Sequence, residues 1–442
     1  MTGITEQGST DAQVQPAKTS KRRVVAWSFW DWGSAAFNAV VTTFVFTVYI
    51  TGSSFGDKDV ISAQLGWALA IAGLLVAVLA PITGQRSDTS GRRKLWLGIN
   101  TFIVVGLTAA MFFVEASPSF LLLGLVLVAA GNVFFEFASV NYNAMLSQVS
   151  TARTIGKVSG FGWGMGYIGG IVLLLIVYFG FISPDVGLFG VTGENGLSVR
   201  VTMLIAAAWF GLFALPVLFS VPEYRSPAAA RRPRVSFFRS YVVLGQDIIR
   251  LWKTSRQTVY FLIASAIFRD GLAGVFTFGG VLAASVFGFS PGEVIIFAIA
   301  ANVVAGLATI IAGSLDDRLG AKPIIVTALI GLIVCGSIVF VLHDGGPIVF
   351  WTAGLALTLF VGPAQSASRT FLARLIPAGR EGEVFGLYAT TGRAVSFLAP
   401  TMFALMVTIF GATYWGILGI MLVLLAGLLL LIPVKAHQDQ IG

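Results

Sequence analysis

Apolar residues run along this chain in blocks of span length, each followed by a short polar stretch. Twelve such blocks can be drawn, each boundary open by a few residues: 27–51, 62–83, 95–114, 119–146, 157–182 and 199–221, then 257–286, 291–314, 322–342, 346–373, 382–410 and 412–433. A helix that crosses a bilayer needs about 20 mostly apolar residues. A bilayer core offers no water to backbone groups, so a spanning segment must satisfy them internally, as a helix does. The pattern therefore predicts an all-α membrane protein with about twelve transmembrane helices. Residues 1–23 are polar, small or basic and predict a disordered tail. The first block begins with Trp27, Trp30 and Trp32, too far from the start for the apolar core of a signal peptide, and is expected to be retained as a span.

The longest polar interruption falls at the middle. It divides the chain into a first bundle over 24–221, a basic linker over 222–256, a second bundle over 257–434 and a tail over 435–442. Within the linker, Ser236 to Trp252 has the character of an amphipathic helix lying on the membrane surface.

Composition agrees. Hydrophobic residues make up 56% of the chain and charged residues 11%, where a soluble domain carries about 25% charged residues. The net charge of +8 invites a nucleic-acid reading, but the loop pattern supplies another. With a cytoplasmic N-terminus, Lys and Arg gather in the cytoplasmic segments, leaving only Lys58 and Arg200 opposite. That is the positive-inside distribution. It places both termini in the cytoplasm, points to a bacterial-type inner or plasma membrane, and implies lipid rather than nucleic acid as the partner of the charge. The one cysteine, Cys335, precludes an intramolecular disulfide, and with two histidines a metal cluster is not expected. There is no G-x-x-x-x-G-K-[ST], hence no ATP site of that type, and no nucleophile–base arrangement. No cofactor and no enzymatic activity are expected.

The halves echo each other. Gly84, Asp88, Gly91, Arg92 and Arg93 punctuate the loop between the second and third blocks. Gly313, Asp317, Arg318, Gly320 and Lys322 do so between the eighth and ninth. Gly156-Lys157-Val158-Ser159-Gly160 is answered by Gly382-Glu383-Val384-Phe385-Gly386. Two parallel six-helix halves account for this. Gly84 and Gly91 are expected to allow a tight turn. Asp88 is expected to cap a helix or pair with Arg92 or Arg93.

The pattern G-x-x-x-D-x-x-G-R-R over Gly84–Arg93 resembles the signature loop of the major facilitator superfamily. Three further stretches resemble its vacuole-effluxer-like branch, whose yeast members export amino acids from the vacuole. They are Trp27 to Phe37, Tyr142 to Tyr167, and Ser368 to Tyr388. The resemblance covers Trp27 to Pro433. It implies two pseudo-symmetric six-helix bundles around a central cavity, with the signature loop and its second copy latching the halves on the cytoplasmic side. Gln85-Arg86-Ser87 departs from the usual apolar residue before Ser-Asp, which bears on how that latch packs.

Charges inside spans are costly and mark candidate sites. Asp31, Glu136, Arg269, Asp270, Arg369 and Arg393 fall within the blocks. Glu136 is the strongest candidate, because Asn132, Glu136, Ser139 and Asn143 fall at helical spacing and form one polar stripe. Asp31 and Asp270 lie on the equivalent first and seventh spans. Both suit proton coupling or an ammonium ligand. Asp31 lies close enough to Trp27 to be a helix cap instead, and Asp270 to pair with Arg369 or Arg393. Arg269 has the option of snorkelling. Arg369 and Arg393 suit a carboxylate. Together the set fits a zwitterion such as an amino acid. The glycines of 156–170 predict close helix packing. Trp67, Trp96, Trp351 and Trp415 lie near span ends as an aromatic belt.

The expected function is a monomeric secondary transporter, working by alternating access on a small polar solute. An amino acid is the favoured cargo, a proton or other ion the driver, and efflux the direction the resemblance suggests. A cation-coupled sugar or glycoside symporter is the rival within transport, disfavoured because residues 62–83 contain no acid. A membrane sensor or lipid scramblase is the rival from another class. The first lacks an appended domain, and the second is separable by measuring lipid flipping.

Overall fold

The computed structural model describes residues 20–90, 92–150, 155–221, 237–375 and 381–435, with the backbone alone at some positions, among them 80–90, 155–157, 159–160, 313–314, 317 and 381–386. Among the described residues, eleven helices are long and apolar enough to cross a membrane: Lys21–Ile50, Lys58–Leu79, Arg93–Phe113, Pro118–Asn143, Phe161–Ile182, Glu194–Ser220, Arg256–Ser285, Pro291–Thr309, Ala321–Val341, Pro347–Leu372 and Leu387–Phe410. The shorter apolar helix Trp415–Leu431 completes twelve. These are called the first to twelfth spans. Among the described residues there is no strand.

Each half repeats one packing scheme. The third span packs on the fourth and sixth, the second on the fourth, and the first on the fifth and sixth. Six spans later the same neighbours recur: ninth on tenth and twelfth, eighth on tenth, seventh on eleventh and twelfth. This is the two-half architecture expected from the loop echoes.

Several spans depart from a plain helix. The first is α-helical over Lys21–Ala35, π-helical over Ala36–Phe44, and bends at Val45. Local π geometry is rare and tends to occur at functional places. The hydroxyls of Thr42 and Thr43 both donate to the Asn38 carbonyl, at 2.8 and 2.7 Å. The eleventh span is broken into Glu381–Ala394 and Leu398–Phe410. Pro400 explains the break, since its ring blocks the preceding turn and removes a donor.

The signature loop differs from expectation. The second helix continues to Ser90, so Gly84 and Asp88 are helical rather than in a turn, and their side chains lie outside the described residues, as does Gly91. The next helix starts at Arg93 after Arg92, so Asp88 is not its N-cap residue. In the second copy the turn is present at Gly320, whose φ of 84° favours glycine. It separates Pro291–Leu319 from Ala321–Val341. Arg318 is exposed, and the side chain of Asp317 is outside the described residues.

The halves are tied together at the end away from the termini. Asp59 Oδ1 accepts two hydrogen bonds from Thr413, backbone N–H and hydroxyl, both at 2.6 Å. Trp67 Nε1 donates to Thr408 at 3.2 Å, so one residue of the expected aromatic belt also ties the halves together. Gly280 of the seventh span lies directly against the Thr43 carbonyl. In the linker, the expected amphipathic segment forms the helix Phe237–Thr254, with Leu251 buried and Val242 and Ile249 exposed.

Candidate functional site

The six intramembrane charges fall into three arrangements, all on the first, fourth, seventh, tenth and eleventh spans. The first crosses the two halves. Arg393, in the last turn of Glu381–Ala394, donates through Nε to Glu136 Oε2 at 3.2 Å. Its Nη2 donates to Ser139 Oγ at 3.4 Å, and Asn143 Nδ2 donates to the same oxygen at 3.2 Å. The polar stripe on the fourth span thus meets the eleventh, though Asn143 is exposed and Asn132 only half-buried. Both contacts of Arg393 are long for charge-assisted hydrogen bonds, which favour about 2.7–2.9 Å. The side chains keep 15% and 31% of their exposure, so the pair is not sealed inside the bundle.

The second arrangement surrounds Asp31. The first helix begins at Lys21, so Asp31 sits well inside it and is not the helix cap the sequence allowed. Its Oδ2 accepts from the Tyr142 hydroxyl at 2.7 Å. Tyr142 is clamped between Trp27 and Trp30, each ring centroid 4.3 Å away, and Trp27 Nε1 donates to the Tyr142 carbonyl. Gly162 of the fifth span leaves the room, since a Cβ there would stand 2.7 Å from Asp31 Oδ2. Across the interface Arg369 stacks on Trp163, 4.8 Å from the ring centre, within electrostatic range of Asp31 and Tyr167.

The third arrangement lies on the seventh span, where Arg269 and Asp270 diverge. Arg269 does not snorkel. Its guanidinium covers the Tyr388 ring at 4.0 Å, and Nη1 donates to the Tyr388 carbonyl at 3.3 Å. The Tyr388 hydroxyl is 2.7 Å from Ser368 Oγ. Asp270 is buried and points to the broken eleventh span, where Oδ2 accepts the Ala399 N–H at 2.6 Å. It serves as an N-cap supplied from another helix, and forms neither of the salt bridges with Arg369 or Arg393 considered above.

Arg393 with Glu136, and Arg369 with Trp163, therefore bring the halves together, with Asp31 close by. Asp270 is held apart from them, on the Ala399 amide. Sequence reasoning missed Tyr142, Trp163 and Tyr388 as partners, and gave Arg269 only a snorkelling role. A signal was present. Phe29-Trp30-Asp31 matches Phe268-Arg269-Asp270, and Gly166 and Gly392 extend the Gly156/Gly382 and Gly160/Gly386 register. Aligning the halves on these puts Tyr388 opposite Gly162 and Arg269 opposite Trp30. A separate cavity of about 200 Å³ lies toward the far end, lined by Phe44, Tyr49, Ile182, Val199 and Ile295 among others. No charged side chain lines it.

Residues 147–440 match the family described as vacuole effluxer Atg22 like. The chain is 28% identical over 425 residues to the uncharacterized MFS-type transporter YxiO of Bacillus subtilis (strain 168), covering 94% of this chain and 95% of that one. It is 24% identical to autophagy-related protein 22-1 of Aspergillus fumigatus, over 58% of this chain and 44% of the fungal one. The chain thus aligns with about half the length of that fungal relative. In fold it is similar to the inward-open xylose transporter XylE of E. coli, with a TM-score of 0.63 at 16% identity, covering 95% and 96% of the two chains. The expected superfamily and fold are confirmed, and the chain belongs to the vacuole effluxer Atg22-like family of major facilitator transporters.

Proposed function

We propose that this transporter exports a small polar solute of amino-acid type by alternating access, coupled to protons through Glu136. The observation that carries the reading is the Glu136–Arg393 ion pair, which links the halves at membrane depth. An ion pair across a moving interface must break and re-form during the cycle. Protonation of Glu136 removes its charge and releases Arg393. A solute carboxylate then competes for the same guanidinium, which has donors to spare. Proton and solute are thereby linked through one side chain. The Lys and Arg asymmetry supports both termini in the cytoplasm and residence in a bacterial-type plasma membrane. The signature loop remains a proposed cytoplasmic latch, through Gly84, Asp88, Gly91, Arg92 and Arg93 on one side and Asp317, Arg318 and Gly320 on the other.

The test is counterflow and gradient-driven flux of radiolabelled amino acids in proteoliposomes. Wild-type flux should follow an imposed pH gradient. Glu136→Gln should keep exchange but lose the response to the gradient, while Arg393→Gln should lose transport by at least about tenfold, the effect of 1.4 kcal/mol. Gradient-driven flux of wild-type size in Glu136→Gln removes the coupling role.

A further inference from the structure

We propose that Arg269 and Arg369 form an anion subsite, and that the solute carries a net negative charge presented as a carboxylate, an acidic amino acid being the type that fits. This rests on the transport reading above and narrows its substrate class.

The other intramembrane charges are already engaged. Glu136 and Arg393 hold each other, Asp270 holds the Ala399 amide, and Asp31 accepts from Tyr142. Arg269 and Arg369 remain. Among the described residues no carboxylate lies within ion-pair distance of either. Both are instead laid on aromatic faces, Arg269 on Tyr388 and Arg369 on Trp163. Tyr388 links their two segments, since it lies under Arg269 and its hydroxyl meets Ser368, the chain neighbour of Arg369. The two guanidinium groups are within electrostatic range of each other.

Gathering two like charges in a low-dielectric region is costly. Stacking on aromatic faces offsets part of that cost, at about 0.5–2 kcal/mol for each contact. Arg269 spends one N–H on the Tyr388 carbonyl, and a guanidinium has five donors, enough left on each arginine to bind a carboxylate. Among the described residues Asp31 is the acid within electrostatic range of Arg369. Two cations facing one anion are neutralised by a solute of net charge −1. An acidic amino acid meets this, with one carboxylate between Arg269 and Arg369, its ammonium toward Asp31, and its second carboxylate left for Arg393 once Glu136 releases it. A neutral amino acid leaves one guanidinium uncompensated.

The test is thermal unfolding of the purified full-length protein in detergent, with L-glutamate, L-glutamine, succinate or inorganic phosphate at matched ionic strength and pH. Glutamate or succinate should raise Tm by a few degrees at saturating concentration, roughly the scale of ligand linkage, with glutamine having no effect. Arg269→Gln and Arg369→Gln should each abolish the shift. Should either fail to fold, Arg269→Lys and Arg369→Lys keep the charge, lose the fork, and should weaken binding about tenfold. The proposal is overturned if neither carboxylate stabilises the protein, if glutamine matches glutamate, if phosphate alone stabilises, or if the glutamate shift survives substitution of both arginines. The transport reading fails separately. Neutral amino-acid flux with no anion effect sinks the subsite alone. An anion-specific shift without flux of any solute sinks the transport reading alone.

Discussion

At the scale of single residues, the site is built from charges whose partners come from far along the chain. Tyr142 reaches Asp31 across 111 positions, and Arg393 reaches Glu136 across 257. A hydrogen bond to a charged group is worth about 1.5–3 kcal/mol. Tyr142→Phe keeps the ring between its two indoles and removes only the hydroxyl. It should therefore lower stability by about that amount, read as a fall in Tm, with the chain still folded. An unchanged Tm would mean Asp31 has another donor. The existence of these charges was legible in the sequence, because a bilayer tolerates so few that each one stands out. Their partners were not. Helical spacing orders residues on one face of one helix, but it says nothing about which helix that face meets. The helix-cap alternative for Asp31 fails for a local reason: Lys21-Arg22-Arg23 and Val24-Val25-Ala26 continue the helix upstream of the apolar block. What looked like a helix start is therefore its interior.

At the scale of elements, the eleventh span is the informative one. Its break leaves the first amides of Leu398–Phe410 without helical partners. Asp270 takes one of them, and its negative charge also suits the positive end of the helix dipole. On the other side the break packs on Gly73 of the opposite half, where a Cβ would stand 2.8 Å from Phe397 backbone and the Ser396 carbonyl. Asp270→Ala should cost about 1–3 kcal/mol, the scale of a buried unsatisfied donor, while Asp270→Asn, which still presents a carbonyl oxygen, should cost less. Chemical denaturation of both variants checks the order. Equal losses would assign the effect to charge rather than to the cap. The spans themselves were legible because each demands an uninterrupted apolar block. The break was not, because Val395, Phe397 and Leu398 keep that block apolar, and only Pro400 hinted at it.

At the scale of the whole molecule, the parallel repeat was legible from glycines and acids recurring in one register. The state of the transporter was not, since it depends on contacts between halves that share no local pattern. At the end away from the termini the contacts between halves are specific. Asp59 with Thr413, Trp67 with Thr408, and Gly280 against the Thr43 carbonyl hold it together. Gly280→Ala places a methyl group on that carbonyl, and Asp59→Ala deletes two hydrogen bonds. Each should shift the population toward opening at this end. Faster labelling of an engineered cysteine there, in a Cys335→Ser background, would report it, and unchanged labelling in both would show that the end is held by other contacts.

The central claim is that the two halves rock about charges placed between them. The most direct measurement is a pair of spin-label distances in that same background. Val186 with Ile348 reports one end, and Leu95 with Leu319 the other, all four being exposed. Adding glutamate or lowering the pH should shift the two distance distributions in opposite directions, and Arg393→Gln should abolish the shift. Distances that stay fixed, or that lengthen together at both ends, would contradict the account.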